Sequence, residues 1–272
     1  MSIITLTSDF GYKDPDIGHL KGLILRQIPQ ANLVDLTHDI MPFCKEESVY
    51  TIKNALSSFP EKTIHLIAIE SETSEQNTPM LFVSNNQYYF GNNNGLIATA
   101  LSDSSFSVYK LSHTNFDNFM QTHIKAIRDL LNGTPIEKFA NKTDNFKTLK
   151  LPIPSIKYEG NNQRVSMIAP KVIFNDRYGN AIFNLKKDDF DKWREGRKVQ
   201  IKIDFFNIKT IIDGYSSFDT KRDLITYAGN VYARFNDFGY LEIFSYQSNM
   251  NSGDAKTLLG LKKDQPIIIN FL

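Results

Sequence analysis

Two segments of the sequence place an aspartate directly after an apolar, strand-like run. Asp9 follows residues 3–8, and Asp176 follows residues 172–175. The carboxyl ends of strands in an open α/β sheet form the crevice in which ligands bind, so a carboxylate there can accept hydrogen bonds from sugar hydroxyls or an amine. Two such corners predict a small polar ligand held at both ends. Capping of a turn or a helix is an equally good interpretation of each aspartate alone.

An acidic loop follows another apolar run. Glu70, Glu72 and Glu75 come after residues 64–69. A carboxylate at the end of a strand could act as a general base. A solvated acidic turn explains the same residues, and spacing alone favours the turn.

Two further loops carry amide and aromatic side chains. Residues 91–95, Gly-Asn-Asn-Asn-Gly, include Asn94 and could hold a carboxylate or an oxyanion, although such runs also form ordinary turns. In the second half, Phe238 precedes a strand pattern, and residues 249–255 form a polar loop. That loop could read the edge of a base while Phe238 stacks on it, and a plain hairpin connection is equally compatible.

The composition argues against several classes of protein. The chain has 272 residues with 31 basic and 30 acidic side chains, and no run of Lys or Arg predicts nucleic-acid binding. Cys44 is the only cysteine, which excludes internal disulfides and suits a reducing cytoplasm. No secretory signal and no stretch of eighteen apolar residues is present. We therefore expect a soluble, cytoplasmic protein without a membrane partner.

Common catalytic and metal motifs are missing. The sequence has no Gly-rich phosphate loop, no Gly-x-Ser-x-Gly elbow and no His-Glu-x-x-His motif. The histidines lack the spacing of metal ligands, so a structural role is expected for each and no metal is predicted. They are His19, His38, His65, His113 and His123.

The order of apolar patterns predicts two domains. Residues 1–150 alternate strand and helix patterns, which indicates βαβ units and an α/β domain with a mostly parallel sheet. The strand patterns are 3–6, 32–36, 64–69, 80–83 and 87–90, and the helical patterns are 17–28, 46–58 and 115–131. Residues 151–162, rich in Lys, Asn and Pro, are predicted to be a linker.

Residues 163–272 are dominated by short alternating strands separated by Gly, Asn and Asp turns. This pattern indicates an all-β domain, a small barrel or a sandwich, and we predict a barrel. The predicted strands are 165–174, 199–205, 209–212, 224–228, 231–234, 240–244 and 266–271.

Taken together, the motifs resemble one family, the S-adenosyl-L-methionine hydroxide adenosyltransferases, which are relatives of the fluorinase and chlorinase enzymes. The resemblance spans nearly the whole chain and rests on the order of weak motifs. They are residues 5–11, 17–22, 34–43, 91–96, 176–180 with Asn184, 238–243 and 258–261.

The resemblance implies an α/β domain, a β-barrel domain and a homotrimer with active sites between neighbouring subunits. Family members attack C5′ of S-adenosylmethionine in line, which gives adenosine and methionine when water or hydroxide is the nucleophile. It also implies that no cofactor is used and that the partner is a small nucleoside ligand. A sulfonium is already a good leaving group, so positioning is the main contribution of such an enzyme.

The resemblance also implies roles by position. Asp9 would hold the ribose hydroxyls, Phe43 would wall the ribose and reaction centre, and Asp176 with Asn180 would hold the amino-acid end of methionine. The other substrate-binding positions that it implies are Phe238, Asp254 and Ala255 against adenine, together with Phe10, Asn94 and Tyr178.

The sequence departs from the family at the water-activating residues. The family has Asp-Pro-Gly-Val-Gly followed by Arg after the third strand, whereas this chain has Glu70 and Glu72 and no arginine. The family has His-Gly-Arg-Asp before a later helix, and here Asn118 or a neighbour falls at the histidine position. Glu70, Glu72 and Asn118 are therefore the predicted catalytic residues.

Three interpretations follow from these departures. The first is a divergent S-adenosylmethionine hydrolase in which Glu70 or Glu72 is the general base with help from Asp117, provided that burial raises the pKa of the base. The second is a catalytically silent sensor that binds S-adenosylmethionine or adenosine. The third is a halogenase with Ser71 and Thr73 as halide donors. We rank the hydrolase first.

Overall fold

The computed structural model of the chain describes residues 2–56, 58–72, 74–112, 119–160, 164–218, 227–247 and 253–272. The chain divides into two compact units, residues 1–151 and 152–272. In the described ranges, no helix is long and apolar enough to cross a membrane.

The first unit contains one seven-stranded sheet. Its spatial order is β2-β1-β3-β5-β4-β6-β7. The strands are β1 (Ser2–Ser8), β2 (Ala31–Thr37), β3 (Ile64–Ala68), β4 (Pro79–Ser84), β5 (Gln87–Asn92), β6 (Ser107–Leu111) and β7 (Ala140–Lys142).

Only half of this sheet is parallel. The pairs within β2-β1-β3-β5 are parallel, and the pairs within β5-β4-β6-β7 are antiparallel. The prediction of a mostly parallel sheet is therefore corrected to a mixed sheet. The change of direction begins at the β4–β5 hairpin, because a hairpin turn can join only antiparallel strands. Asn85 and Asn86 form its tip with positive φ, as that turn requires.

Helices cover both faces of the sheet. They are α1 (Asp16–Gln27), α2 (Lys45–Leu56), α3 (Leu96–Ala100) and α4 (Phe119–Leu131). Alternate residues of β3 enter different cores. Leu66 packs with residues of α1 and α4, and Ile67 packs with residues of α2 and α3. The sheet is thus buried on both faces, which explains the nearly continuous apolar runs of its central strands.

The second unit contains two five-stranded sheets. Their orders are β10-β11-β16-β15-β14 and β13-β12-β17-β9-β8. The strands are β8 (Ser155–Glu159), β9 (Arg164–Ala169), β10 (Val172–Asn175), β11 (Ala181–Lys186), β12 (Val199–Ile203), β13 (Phe206–Ile208), β14 (Ile211–Ile212), β15 (Val231–Phe235), β16 (Tyr240–Ser245) and β17 (Ile268–Phe271). The predicted barrel is not confirmed, because the described strands form no closed barrel. Residues of both sheets share one hydrophobic core.

A single predicted strand over residues 165–174 is wrong. The structure divides it into β9 and β10, which belong to different sheets. Pro170 lies at the break, and proline cannot donate a hydrogen bond to a sheet. Residues 224–226 of the predicted strand 224–228 lie outside the described residues, and residues 227 and 228 lie in no strand.

Two elements of the second unit have little apolar alternation. Strand β8 lies inside the range assigned to a linker, and four of its five residues are exposed. It is an edge strand held by pairing with β9. Helix α5 (Lys187–Arg194) buries only Phe190, and a short helix spans Ala255–Leu258.

Candidate functional site

The parallel strands of the first unit end at one edge of the sheet. Asp9 follows the last residue of β1, His38 follows β2, Glu70 lies two residues after β3, and Asn94 lies two residues after β5. Ligands bind at this edge in open α/β sheets. The fold therefore brings the predicted residues Asp9, Glu70 and Asn94 to a common edge.

Asp9 and Glu70 are directly connected. The Glu70 backbone N–H donates a hydrogen bond of 3.1 Å to Asp9 Oδ2. Glu70 has a φ of 47°, a left-handed conformation that is unfavourable for a non-glycine residue and is found at functional sites. Among the described residues, Asp9 Oδ1 accepts no hydrogen bond, so one carboxylate oxygen is available to a ligand.

Two asparagines hold the acidic loop by its backbone. Asn77 Nδ2 donates to the carbonyls of Glu70 and Glu72, and Asn92 Nδ2 donates to the carbonyls of Ser71 and Glu72. The Oδ1 atoms of Asn77 and Asn92 are buried without a hydrogen-bond partner in the described part of the chain. The loop is therefore held in a defined conformation, although Glu72 itself is exposed and Glu70 is half-buried.

Asn94 has a structural role. Its Nδ2 donates to the Ile69 carbonyl at 2.9 Å, and its Oδ1 accepts the Leu96 N–H at 3.1 Å. These bonds connect the end of β3 to the first residue of α3. The ligand contact predicted for Asn94 stays a prediction.

The aromatic residues near this edge differ in exposure. Phe43 is 85% exposed and has a φ of 61°. An exposed aromatic ring on a left-handed residue fits a role in ligand contact better than a role in packing. Phe10 is half-buried and packs against the hydrophobic core of the first unit.

Two buried polar residues lie behind Asp9, and the sequence singled out neither Ser8 nor its pairing with His38. Ser8 Oγ lies 2.8 Å from His38 Nδ1, and His38 Nε2 lies 3.3 Å from Asp35 Oδ1. Ser8 and His38 are fully buried. The available signal was weak, because only the parallel pairing of β1 with β2 shows that these residues are neighbours.

In the second unit, the carboxylate of Asp176 is largely engaged by its own turn. Asp176 Oδ1 accepts the N–H groups of Tyr178 and Asn180, both at 2.9 Å, and Oδ2 accepts Asn180 Nδ2 at 2.8 Å. The structure thus brings Asp176 and Asn180 together in a closed turn. Tyr178 projects from this turn and is 79% exposed.

Asp254 caps the short helix after it. Its Oδ1 accepts the Thr257 N–H at 2.7 Å, while the Thr257 hydroxyl accepts the Asp254 N–H, which forms a capping box. Gly179 approaches the Asp254 side chain so closely that an added Cβ would overlap its carboxyl group. Ala255 is fully buried in the core, so its methyl group is not available to a ligand. An adenine bound at Ala255 would have to contact the backbone of this residue.

A buried ion pair lies in the same unit. Arg234 Nε is 3.2 Å from Glu242 Oε1, and the arginine lies over the Tyr215 ring at 4.3 Å. Burial raises the pKa of Glu242, Arg234 opposes this shift, and the charges of Asp176 and other acids add to it. The positive charge of Arg234 therefore lies near the negatively charged carboxylates of Glu242 and Asp176.

The remaining predicted residues divide into two groups. Phe238 lies in a turn and is 50% exposed, as a ring that stacks on a ligand would need to be. Asn118, Asp117 and Thr73 lie outside the described residues.

In the described ranges, no three His, Cys, Asp or Glu side chains converge in a group that could hold a metal ion.

Two models of one protein family together match most of the chain. Residues 4–138 match the SAM hydroxide adenosyltransferase N-terminal domain, and residues 170–268 match the corresponding C-terminal domain.

Two characterised relatives cover most of the chain. The (R)-S-adenosyl-L-methionine hydrolase of Methanocaldococcus jannaschii is 26% identical over 258 residues, covering 92% of this chain and 90% of the relative. A fluorinase of an Actinoplanes species is 23% identical and covers 94% of this chain and 97% of the relative. An uncharacterised conserved protein from Thermotoga maritima has the same fold, with a TM-score of 0.77 at 21% identity over 98% of this chain and 99% of its own.

Proposed function

Since the chain belongs to the SAM hydroxide adenosyltransferase family, we propose that it hydrolyses S-adenosyl-L-methionine to adenosine and L-methionine. The observation that carries this proposal is the direct hydrogen bond between the Glu70 backbone and Asp9 at the carboxyl edge of the sheet. This bond supports the proposal because it joins Asp9, the proposed ribose-binding residue, to Glu70, the proposed base.

In this proposal, Asp9 binds the ribose and Glu70 acts on water. The free Oδ1 of Asp9 accepts a hydrogen bond from a ribose hydroxyl. The Glu70 carboxylate takes a proton from water while the new O–C5′ bond forms and the C5′–S bond breaks. The electron pair of that bond goes to sulfur, which converts the sulfonium to the neutral thioether of methionine. Since the leaving group is already activated, orientation supplies most of the acceleration.

The defined conformation of the acidic loop supports Glu70 over Glu72 as the base. Glu70 is half-buried and hydrogen-bonded to Asp9 through its N–H, whereas the Glu72 side chain is exposed. General bases act when they are held in fixed geometry within reach of the proton that they remove. Asn118, at the position of the family histidine, stays a predicted catalytic residue.

The second unit contributes further parts of the proposal. Asp176 and Asn180 bind the amino-acid end of the substrate, and Phe238 stacks on adenine. We also propose the homotrimer that the family resemblance implies, with active sites between subunits and no cofactor.

A silent sensor is the alternative that one observation favours. No arginine lies in residues 70–77, where the family hydrolases place one. A chain that keeps Asp9 and has lost the water-activating residues would bind S-adenosylmethionine or adenosine without turnover.

Three variants of the acidic loop test the proposal. Glu70→Gln should lower the rate of adenosine release by about 10²-fold to 10⁴-fold, the usual contribution of a general base, while ligand affinity in a calorimetric titration stays within about twofold. Glu75→Gln is the matched control, because Glu75 is exposed in the same loop. If Glu70→Gln keeps full activity, a loss of activity in Glu72→Gln would identify Glu72 as the base. Full activity in both variants would refute a carboxylate base in this loop.

A halogenase gives a different product. The same reaction run with and without added chloride or fluoride should yield adenosine in both cases. A 5′-halogenated nucleoside that appears only with halide would contradict hydrolysis as the function.

A further inference from the structure

A chain of four side chains lies behind the turn that carries Asp9. Ser8 Oγ is 2.8 Å from His38 Nδ1, and His38 Nε2 is 3.3 Å from Asp35 Oδ1. Lys21 Nζ donates to Asp35 Oδ2 at 2.6 Å. This polar network connects β1, the end of β2 and helix α1.

The partners determine the direction of each hydrogen bond. Burial raises the pKa of Asp35, but the interactions with Lys21 and His38 outweigh burial, so this pKa lies below its ordinary value. Asp35 is therefore anionic, and His38 Nε2 faces it at 3.3 Å in a charge contact that does not reach full hydrogen-bond geometry. The nearby carboxylate favours the tautomer of His38 with its proton on Nε2. His38 Nδ1 then accepts the hydroxyl proton of Ser8, which leaves the Ser8 oxygen as an acceptor.

These residue types match a nucleophilic triad, but their burial argues against that role. A catalytic serine must reach a substrate carbon, and Ser8 and His38 are both fully buried. The lysine on Asp35 is also an ion-pair partner that such a triad does not need. The network is better suited to holding backbone than to attacking a substrate.

The backbone that it holds is the turn after Asp9. Ser8 Oγ accepts the Phe10 N–H at 3.4 Å, and the His38 carbonyl accepts the Gly11 N–H at 2.7 Å. The Tyr12 ring packs edge-on against the His38 ring, with 5.1 Å between centroids. Asp9 thus lies between Ser8, which is hydrogen-bonded to His38, and Phe10, whose N–H is hydrogen-bonded to Ser8.

We propose that Ser8, His38 and Asp35 are positioning residues that fix the Asp9 turn for ribose binding. The ligand named in this inference rests on the proposed function. The claim that the network fixes the Asp9 turn does not depend on it. Lys21 stabilises the network from its solvent-accessible end, where it is 32% exposed.

The chain contains a matched control for a buried histidine. His65 Nδ1 lies 2.8 Å from Thr5 Oγ1, and His65 is fully buried on β3. This pair has the same atoms and the same distance as Ser8 and His38. Thr5, however, lies three residues before the end of β1, away from the Asp9 turn.

The first test measures the turn without a ligand. Hydrogen–deuterium exchange of the peptide that contains residues 9–12 should become about fivefold to tenfold faster in Ser8→Ala, the equivalent of one net hydrogen bond. His65→Asn should leave that peptide unchanged. Unchanged exchange in Ser8→Ala, or equal acceleration in both variants, would overturn the proposal.

The second test measures ligand affinity in two variants of His38. In His38→Asn the amide oxygen can occupy the place of Nδ1 and accept the Ser8 hydroxyl, whereas in His38→Gln the amide reaches the place of Nε2 and loses Ser8. Affinity for S-adenosylmethionine should therefore fall about fivefold to tenfold more in His38→Gln than in His38→Asn. A merely space-filling role for His38 predicts equal losses.

The two tests separate this inference from the proposed function. If the wild-type chain neither binds nor hydrolyses S-adenosylmethionine, the proposed function fails, and the exchange measurement still decides whether the network holds the turn. If both histidine variants unfold, Lys21→Met replaces them, since Lys21 is partly exposed. In Lys21→Met, exchange of residues 9–12 should become faster while exchange of β3 stays unchanged. Unchanged exchange of residues 9–12 would refute the network.

Discussion

Replacing Gly179 with alanine should disrupt the turn that carries Asp176. Gly179 has a φ of 74°, and a Cβ at this position would overlap the carboxyl group of Asp254. Asp254 would have to move, and it caps the short helix through a 2.7 Å bond to the Thr257 N–H. The Lys256 N–H also donates to the Gly179 carbonyl at 2.9 Å, so the turn and the helix shift together.

The expected loss has two parts. An alanine in the left-handed region costs about 1 kcal/mol, and loss of a helix cap costs about 1 kcal/mol more. Gly196→Ala is the matched control, because Gly196 also has a φ of 74° and its Cβ would meet nothing within 4 Å. The free energy of unfolding should therefore fall by about 2 kcal/mol in Gly179→Ala and by about 1 kcal/mol in Gly196→Ala.

Fluorescence of the single tryptophan provides the assay. Trp193 packs against the core of the second unit, so its emission during urea unfolding reports that unit. Affinity for S-adenosylmethionine should fall in Gly179→Ala and stay unchanged in Gly196→Ala, because only the former displaces the Asp176 turn. Equal losses of stability in the two variants would refute the close approach of Gly179 to Asp254.

Three further predictions concern buried or ligand-facing charges. His65 and His123 have pKa values lowered to about 4 because burial penalises the charged ring, so the unfolded chain binds more protons between pH 6.5 and 4. The free energy of unfolding should fall on acidification through this window by up to roughly 3 kcal/mol per histidine. In His65→Gln, the melting temperature should therefore depend less on pH than in the wild-type chain. Arg234→Met should destabilise the protein to urea by about 3 kcal/mol because Glu242 is left buried without its partner, and Arg234→Met with Glu242→Leu should recover most of this loss. Asp9→Asn should weaken adenosine binding by about tenfold to a hundredfold in calorimetry, and unchanged affinity would remove Asp9 from the site.

The sequence predicted the first unit well where its strands are buried on both faces. Residues 3–6 and 64–69 are nearly continuous apolar runs, and the structure has β1 and β3 there. Edge strand β8 and helix α5 were not predicted, because most of their residues are exposed and show no apolar periodicity. Such elements depend on tertiary pairing, which local pattern does not contain.

The candidate site was partly predictable for a related reason. A carboxylate after a buried strand is expected at the ligand edge, and this rule predicted Asp9 from local sequence. Glu70 was predicted as the base from the family resemblance, because spacing alone favoured a solvated turn. The hydrogen bond of Ser8 to His38 joins residues thirty positions apart, so it depends on the register of β1 with β2. The capping role of Asp254, by contrast, depends on local sequence, because its partner Thr257 lies only three residues later.

Incubation of the pure protein with S-adenosylmethionine, followed by chromatography of the products, tests the central claim most directly. We predict equal amounts of adenosine and methionine that increase with enzyme and time, and their loss in Glu70→Gln. Tight calorimetric binding without either product would contradict hydrolysis and indicate a sensor. Absence of both binding and products would show that this member of the family does not act on S-adenosylmethionine.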